Sequence, residues 1–239
     1  MKKIFKEIFD RLYTKFGPMG WWPGETQIEI IVGAILTQNT SWSNVEKAIA
    51  NLKREDLLSV KALRDIGIES LSRLIRPSGY YNQKAKKIKH FTDFLFSTYD
   101  GSLNKMFETD TLPLRENLLK INGIGPETAD SILLYAGERA IFVVDAYTKR
   151  ILERHNLCSQ DATYPEIQAL FMENLPEDVR LFNEYHALFV RLGKQICKKR
   201  EPLCKSCPLY TEKATDFQKN GILSNRPHRN SILGENFRL

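Results

Sequence analysis

The chain has 239 residues, 42% hydrophobic and 27% charged, a balance that excludes a disordered tract and supplies one large or two modest apolar cores. No apolar run approaches the length of a bilayer-spanning helix, so no membrane partner is expected. The formal charge of +6, from 35 basic and 29 acidic side chains, leans toward polyanionic partners, although a basic solvated surface explains it equally well.

Helical periodicity dominates from the start. In MKKIFKEIFDRLYTKF, Ile4, Phe5, Ile8, Phe9 and Leu12 share one face of an amphipathic helix. Lys6, Glu7, Asp10 and Arg11 interrupt any signal-peptide core, so a cytoplasmic, nucleoid-associated location is expected. Trp21, Trp22 and Pro23 follow, and Trp42 is the one other tryptophan; aromatics of this kind are as often core as binding surface. Thr26 and Glu29 have capping-box spacing, and the mostly apolar EIIVGAILTQ after them reads as a buried helix. Helices are expected over 44–52, 57–63, 71–75 and 81–96, the last with Lys84, Lys86, Lys87 and Lys89 facing solvent. Thr111 opens the next.

That helix ends in LLKINGIGPETAD, residues 118–130, where two glycines break the pattern. Gly123 and Gly125 allow unusual backbone angles and leave no Cβ in the way of an approaching group. Pro126 suits a first helical turn, and Ile121 and Ile124 would pin the turn to the core. A second helix over 128–135 then presents unpaired N–H groups outward, which suits a phosphate. An ordinary helix connection with a glycine C-cap is the competing reading. The apolar AIFVVD is a short extended piece, and Asp145 caps the helix AYTKRILERH. Thr163 and Glu166, with Pro165 between them, start another helix, and 178–195 forms the last. His186 and Lys194 on it read as structural. Cys197, Cys204 and Cys207 crowd together, which points to metal or cluster chemistry rather than a secreted disulfide framework. Cys158 reads as an ordinary buried thiol. The segment 214–239 is polar and unpatterned, as a flexible tail would be.

GAILTQNT, GYYNQKAKKI, LLKINGIGPETADSILLYA and IFVVDAYTKRIL, in this order with the cysteine spacing, resemble the helix–hairpin–helix signature of the endonuclease III superfamily of DNA repair glycosylases. The resemblance covers roughly residues 20–210 and implies an all-α fold of two helical domains with the DNA cleft between them. One is a six-helix barrel, 21–135, carrying the hairpin at 112–135. The other joins both chain ends, 1–20 with 136–213, and carries the cysteine loop. The resemblance implies that Asn122, Gly123, Ile124, Gly125 and Thr128 grip DNA phosphate and that Gln38 enters the space left by an extruded base. For Gln38 the alternative is an amide that caps a turn. Asp145 would stabilise the positive charge that develops on the sugar and activate a water, beside or instead of its capping role.

Members that also nick DNA carry a lysine two residues after the second glycine, and its amine attacks C1′. This chain has Glu127 there, and a carboxylate cannot form an imine. The tryptophans resemble the 3-methyladenine glycosylase branch, which implies a stacking pocket of Trp21, Trp22, Pro23 and Trp42 for a cationic alkylated purine. Relatives bind a [4Fe–4S] cluster on four cysteines. Here Cys197, Cys204 and Cys207 match three, and the fourth position is Lys213, leaving a [4Fe–4S] or [3Fe–4S] cluster, or none, as the readings. Lys198, Lys199 and Arg200 would meet DNA phosphate, or simply face solvent. The expected activity is a monofunctional glycosylase acting on duplex DNA with a damaged base, as a monomer. An oxidised-pyrimidine glycosylase/lyase and a non-catalytic binder of damaged DNA are the alternatives.

Overall fold

The computed structural model describes residues 1–21 and 24–210. Among them twelve α-helices and no strand are found, arranged as two helical domains. The first helix, α1 (Lys2–Phe16), buries Phe5, Ile8 and Leu12, the stripe its periodicity marks. It belongs with the chain's far end: it packs on α12 (Val179–Gln195), whose Tyr185 hydroxyl donates to the Phe5 carbonyl at 2.9 Å.

The second helix, α2 (Gln27–Leu36), is the axis of the other domain. Thr26 caps it by accepting the Glu29 amide, and nearly every residue after that is buried. Such a helix needs neighbours on all sides, and it has them. It packs on α3 (Trp42–Arg54), α6 (Tyr81–Tyr99), α9 (Pro126–Ser131) and the π-helical turn Ile132–Ala136. Between these lie α4 (Val60–Asp65), α5 (Ile68–Leu74), α7 (Leu103–Glu108) and α8 (Thr111–Leu119).

The lysine row of α6 does not simply face solvent. Lys86 is exposed, but Lys84 is buried and donates to the Ser78 carbonyl at 2.6 Å. Burial, with the charge of Lys87 adding to it, lowers the Lys84 pKa to about 8. Lys89 reaches the carbonyls of Leu63, Arg64 and Ile66 at the end of α4. Lys87 donates to Gln38 Oε1. The reason is geometric: the apolar stem of a lysine can cross a helix interface while its ammonium satisfies unpaired carbonyls at a neighbouring C-terminus.

The second domain has an aromatic centre. Phe142 stacks on Phe171 at 3.7 Å between centroids and meets Phe182 and Tyr185 edge-on. Phe142 belongs to the piece between the π-helical turn and α10 (Ala146–Arg154), so this packing fixes where that piece ends, at Asp145. The capping box expected at Thr163 is present at the start of α11 (Tyr164–Met172). The domains are tied by Asp130, fully buried, which takes both nitrogens of Arg115 at 2.6 and 3.0 Å and one hydrogen bond each from Tyr164 and Gln168.

Candidate active site

The two-glycine turn joins α8 to α9. Gly123 has φ +91°, and a Cβ there would lie 2.5 Å from Lys87 Cγ, so both the backbone angle and the space demand glycine. Gly125 is extended, and a Cβ there would meet nothing within 4 Å. Its face is therefore open to an approaching group. Ile121 and Ile124 are buried and pin the turn from below. The helix expected over 128–135 is present, its second half wound as the π-helical turn Ile132–Ala136.

Gln38 is tied to this hairpin. Its amide donates to the Gly123 carbonyl at 3.2 Å and to Thr128 Oγ1 at 2.9 Å, while Lys87 donates to its oxygen. Asn122 is exposed at the tip, and its carbonyl pairs with His90 Nδ1 at 3.0 Å. The structure thus brings Gln38, Gly123 and Thr128 together and leaves Asn122 and Gly125 on the open side.

Asp145 caps α10, as its place in the sequence indicates. Its Oδ1 accepts the Thr148 amide at 2.7 Å and the Thr148 hydroxyl at 2.9 Å. Its Oδ2 lies 3.5 Å from His186 Nε2. Burial pushes the carboxyl toward its neutral form, but the His186 ring facing it and the two bonds from Thr148 outweigh it, and the pKa falls below the ordinary value. His186 sits on α12, which approaches α10 closely because Gly193 carries no side chain; a Cβ there would collide with the Tyr147 ring.

His186 is itself fixed on several sides. Its Nδ1 is hydrogen-bonded to the Tyr135 hydroxyl, and Trp21 stacks on its ring at 5.6 Å with planes 21° apart. Trp21 also leans on Tyr135 at 5.8 Å. Glu127, in the first turn of α9, is exposed to solvent but close to the same site: partial desolvation there and the charge of Asp145 raise its pKa, with His186 opposing. A carboxylate held ionised, a second carboxylate made less acidic by it, an imidazole and an indole therefore converge beside a backbone turn open to phosphate. This arrangement can stabilise a cation against one face of Asp145.

A family model described as HhH-GPD superfamily base excision DNA repair protein matches residues 32–177, which hold the hairpin, Asp145 and the helices between. The chain belongs to this superfamily. It is a DNA glycosylase of base excision repair. It is 51% identical over 209 residues to a protein of Methanocaldococcus jannaschii provisionally named a DNA repair glycosylase, covering 87% of this chain and 92% of that one. It is 32% identical over 203 residues to the endonuclease III of Thermotoga maritima, covering 84% and 89%. It is also similar to the crystal structure of the H. pylori 3-methyladenine DNA glycosylase bound to 1,N6-ethenoadenine. There the TM-score is 0.68 and the identity 31%, over 81% of this chain and 97% of that one.

Not every expected site residue of the glycosylase gathers at Asp145. Trp42 opens α3, half-buried against the core, and among the described residues no ring pair joins it to Trp21. Trp22, Pro23, Lys213 and the tail lie outside the described residues. The residues that sequence reasoning passed over are His186 and Tyr135. Each falls on an apolar helical face, so neither stood out from the core around it.

In the described part of the cysteine loop the three cysteines are not gathered around one point. Cys197 is buried, Cys204 exposed, and no group of three His, Cys, Asp or Glu able to hold a metal occurs among the described residues. The Cys197 sulfur accepts from Arg154 at 3.2 Å, and the same guanidinium takes the Lys198 and Lys199 carbonyls at 2.7 and 3.1 Å. Burial first, then the nearness of Cys197 and Cys204, pushes the Cys207 thiol up to about 11. Arg150 adds bonds to the Cys197 and Gly193 carbonyls. Two arginines of α10 thus hold the loop, and Lys198, Lys199 and Arg200 stand exposed on it.

Proposed function

We propose that the protein is a monofunctional DNA glycosylase that hydrolyses the N-glycosidic bond of alkylated purines of the 3-methyladenine type, with water as the nucleophile. The observation that carries this reading is Glu127, in the first turn of α9, standing where an imine-forming lysine would be needed, close enough to Asp145 to feel its charge. A site lined by two carboxylates favours a cationic base on entry and a cationic sugar as the bond breaks. It offers an acid where an imine-forming amine would be needed. The Trp21 ring, ordered by His186 and Tyr135, supplies an electron-rich face for such a base. Similarity to the H. pylori 3-methyladenine glycosylase holding a modified adenine supports the same substrate class.

In this reading the open face of Gly125 and the exposed tip at Asn122 take the DNA backbone, and Lys198, Lys199 and Arg200 add charge on one side. The damaged base is extruded toward Trp21, and Asp145 Oδ2 meets C1′. An alkylated purine leaves readily because it already carries the positive charge, so no strong acid is required of the protein. We infer also that the cysteine loop folds on Arg150 and Arg154 without a cluster; iron analysis of the purified protein returns far less than one cluster per chain.

The test is a panel of duplex oligonucleotides, each with one lesion: 7-methylguanine, 3-methyladenine, 1,N6-ethenoadenine, an oxidised pyrimidine and uracil. Release of the alkylated purines well above the neutral bases supports the reading. Preferential release of a neutral pyrimidine overturns the substrate class. A lyase reading is favoured by the endonuclease III similarity and by Lys87, whose amine lies beside the hairpin on Gln38.

A further inference from the structure

We propose that His186, held by Tyr135, is a positioning residue for Asp145: its Nε2–H aims the one carboxylate oxygen that α10 leaves free. The inference rests on the glycosylase reading of Asp145. The geometry is specific. Oδ1 is committed to the amide and hydroxyl of Thr148, so Oδ2 alone can serve the reacting sugar. His186 Nε2 is the group facing it, at 3.5 Å, and that nitrogen is buried with no closer hydrogen-bond partner. A buried donor left unpaired is costly, so the ring gains by turning to Asp145. The distance is long for a bond in the unliganded protein, as such contacts often are before substrate closes the site.

The imidazole has little freedom to point elsewhere. Tyr135 fixes Nδ1, Trp21 covers one face, and Phe142 meets it at 6.5 Å with planes 88° apart. These contacts come from three separate segments of chain, and Tyr135 lies in the π-helical turn, a local distortion often found at functional sites. A histidine kept only for packing would have both nitrogens satisfied within the core. Here one is satisfied by a phenol and the other addresses the carboxylate that does the chemistry.

The titratable groups facing His186 are Tyr135 from the π-helical turn, Asp145 at the start of α10 and Glu127 on α9. Burial, and then the charges of Asp145 and Glu127, push the Tyr135 phenol well above its ordinary value. It therefore stays protonated and donates to Nδ1, which places the ring proton on Nε2. If the ring takes a second proton, Nε2 still carries one, so the donor toward Asp145 survives in either charge state.

Two substitutions separate positioning from packing. His186→Asn keeps an amide near Nδ1 and loses the Nε2 donor, whereas His186→Gln places an amide nitrogen near Nε2. Single-turnover release of 3-methyladenine is expected to fall about 10²-fold in His186→Asn, the range for loss of one organised donor, and to recover substantially in His186→Gln. The acidic limb of the rate profile moves to higher pH in His186→Asn, because Asp145 loses the partner that keeps it ionised. Affinity for a duplex with a tetrahydrofuran abasic analogue stays within about threefold. Long-range proton–nitrogen spectra of the wild type show Nε2 protonated and Nδ1 bare. An unmoved acidic limb overturns the inference, as does a rate loss matched by equal losses of affinity and unfolding midpoint. Protonated Nδ1 with bare Nε2 overturns it even if no substrate is cleaved. Absence of base release by the wild type defeats the glycosylase reading instead, and the nitrogen spectra then still decide the ring's orientation.

Discussion

Asp145 gives one oxygen to its helix, and in the proposed reading the other serves the reaction; replacements can separate the two. Asn is as good a cap as Asp, so Asp145→Asn is expected to unfold within a few tenths of a kcal/mol of wild type, whereas Asp145→Ala loses about 1 kcal/mol of stability. Both are expected to lose base release by about 10³-fold or more, which denaturant titration beside a base-release assay checks. Glu127 offers a second test, with the sign fixed by linkage. Its folded pKa is raised, so the folded protein holds that proton longer than the unfolded chain, and stability falls as pH rises through the window above 4.5. Glu127→Gln removes this loss. The variant gains stability relative to wild type between pH 4 and 7, and an equal difference at both ends contradicts the assignment. The capping role of Asp145 was legible as sequence because it is decided by an amide three residues on; its catalytic assignment came from the family resemblance. The role of His186 was not, because it depends on how α12 docks on α10, and Gly193 makes that possible without marking it.

At the scale of elements, the hairpin is a loop whose two glycines do different things. Gly123→Ala must resolve both a positive φ and a clash with Lys87, so it is expected to displace the turn and cost stability as well as DNA affinity. Gly125→Ala has neither problem and is expected to leave the unfolding midpoint in place while weakening duplex binding on the order of tenfold, if a phosphate approaches that face. Fluorescence anisotropy with thermal melts of both variants decides it. The Arg115–Asp130 pair is a buried clamp between α8 and α9, extended to α11 by Tyr164 and Gln168. Arg115→Ala strands the carboxylate and is expected to cost about 3–5 kcal/mol in urea titration. Caps at Thr26, Asp145 and Thr163 could be read directly, since a side chain and an amide three residues apart decide them. The burial of Lys84 and the π-helical winding of residues 132–136 could not. The first depends on carbonyls supplied by another segment, and the second on packing against α2 and α12.

For the whole molecule, two helical domains meet along the π-helical turn and α12, and the candidate site lies at that meeting. Charge adds to this on one side, where α10 holds the basic loop through Arg150 and Arg154. Lys199→Ala is expected to reduce the slope of log affinity against log salt by about one and to weaken all duplex sequences alike, since a phosphate contact reads no base. The central claim is that this architecture brings a carboxylate, and no attacking amine, to the anomeric carbon. The most direct measurement incubates the enzyme with a 3-methyladenine duplex in the presence of borohydride and quantifies free base and covalent protein–DNA adduct together, for wild type and Asp145→Asn. The account predicts stoichiometric base release by wild type, none by the variant within the same time, and no adduct from either. A borohydride-stabilised adduct, or release that survives Asp145→Asn, contradicts it.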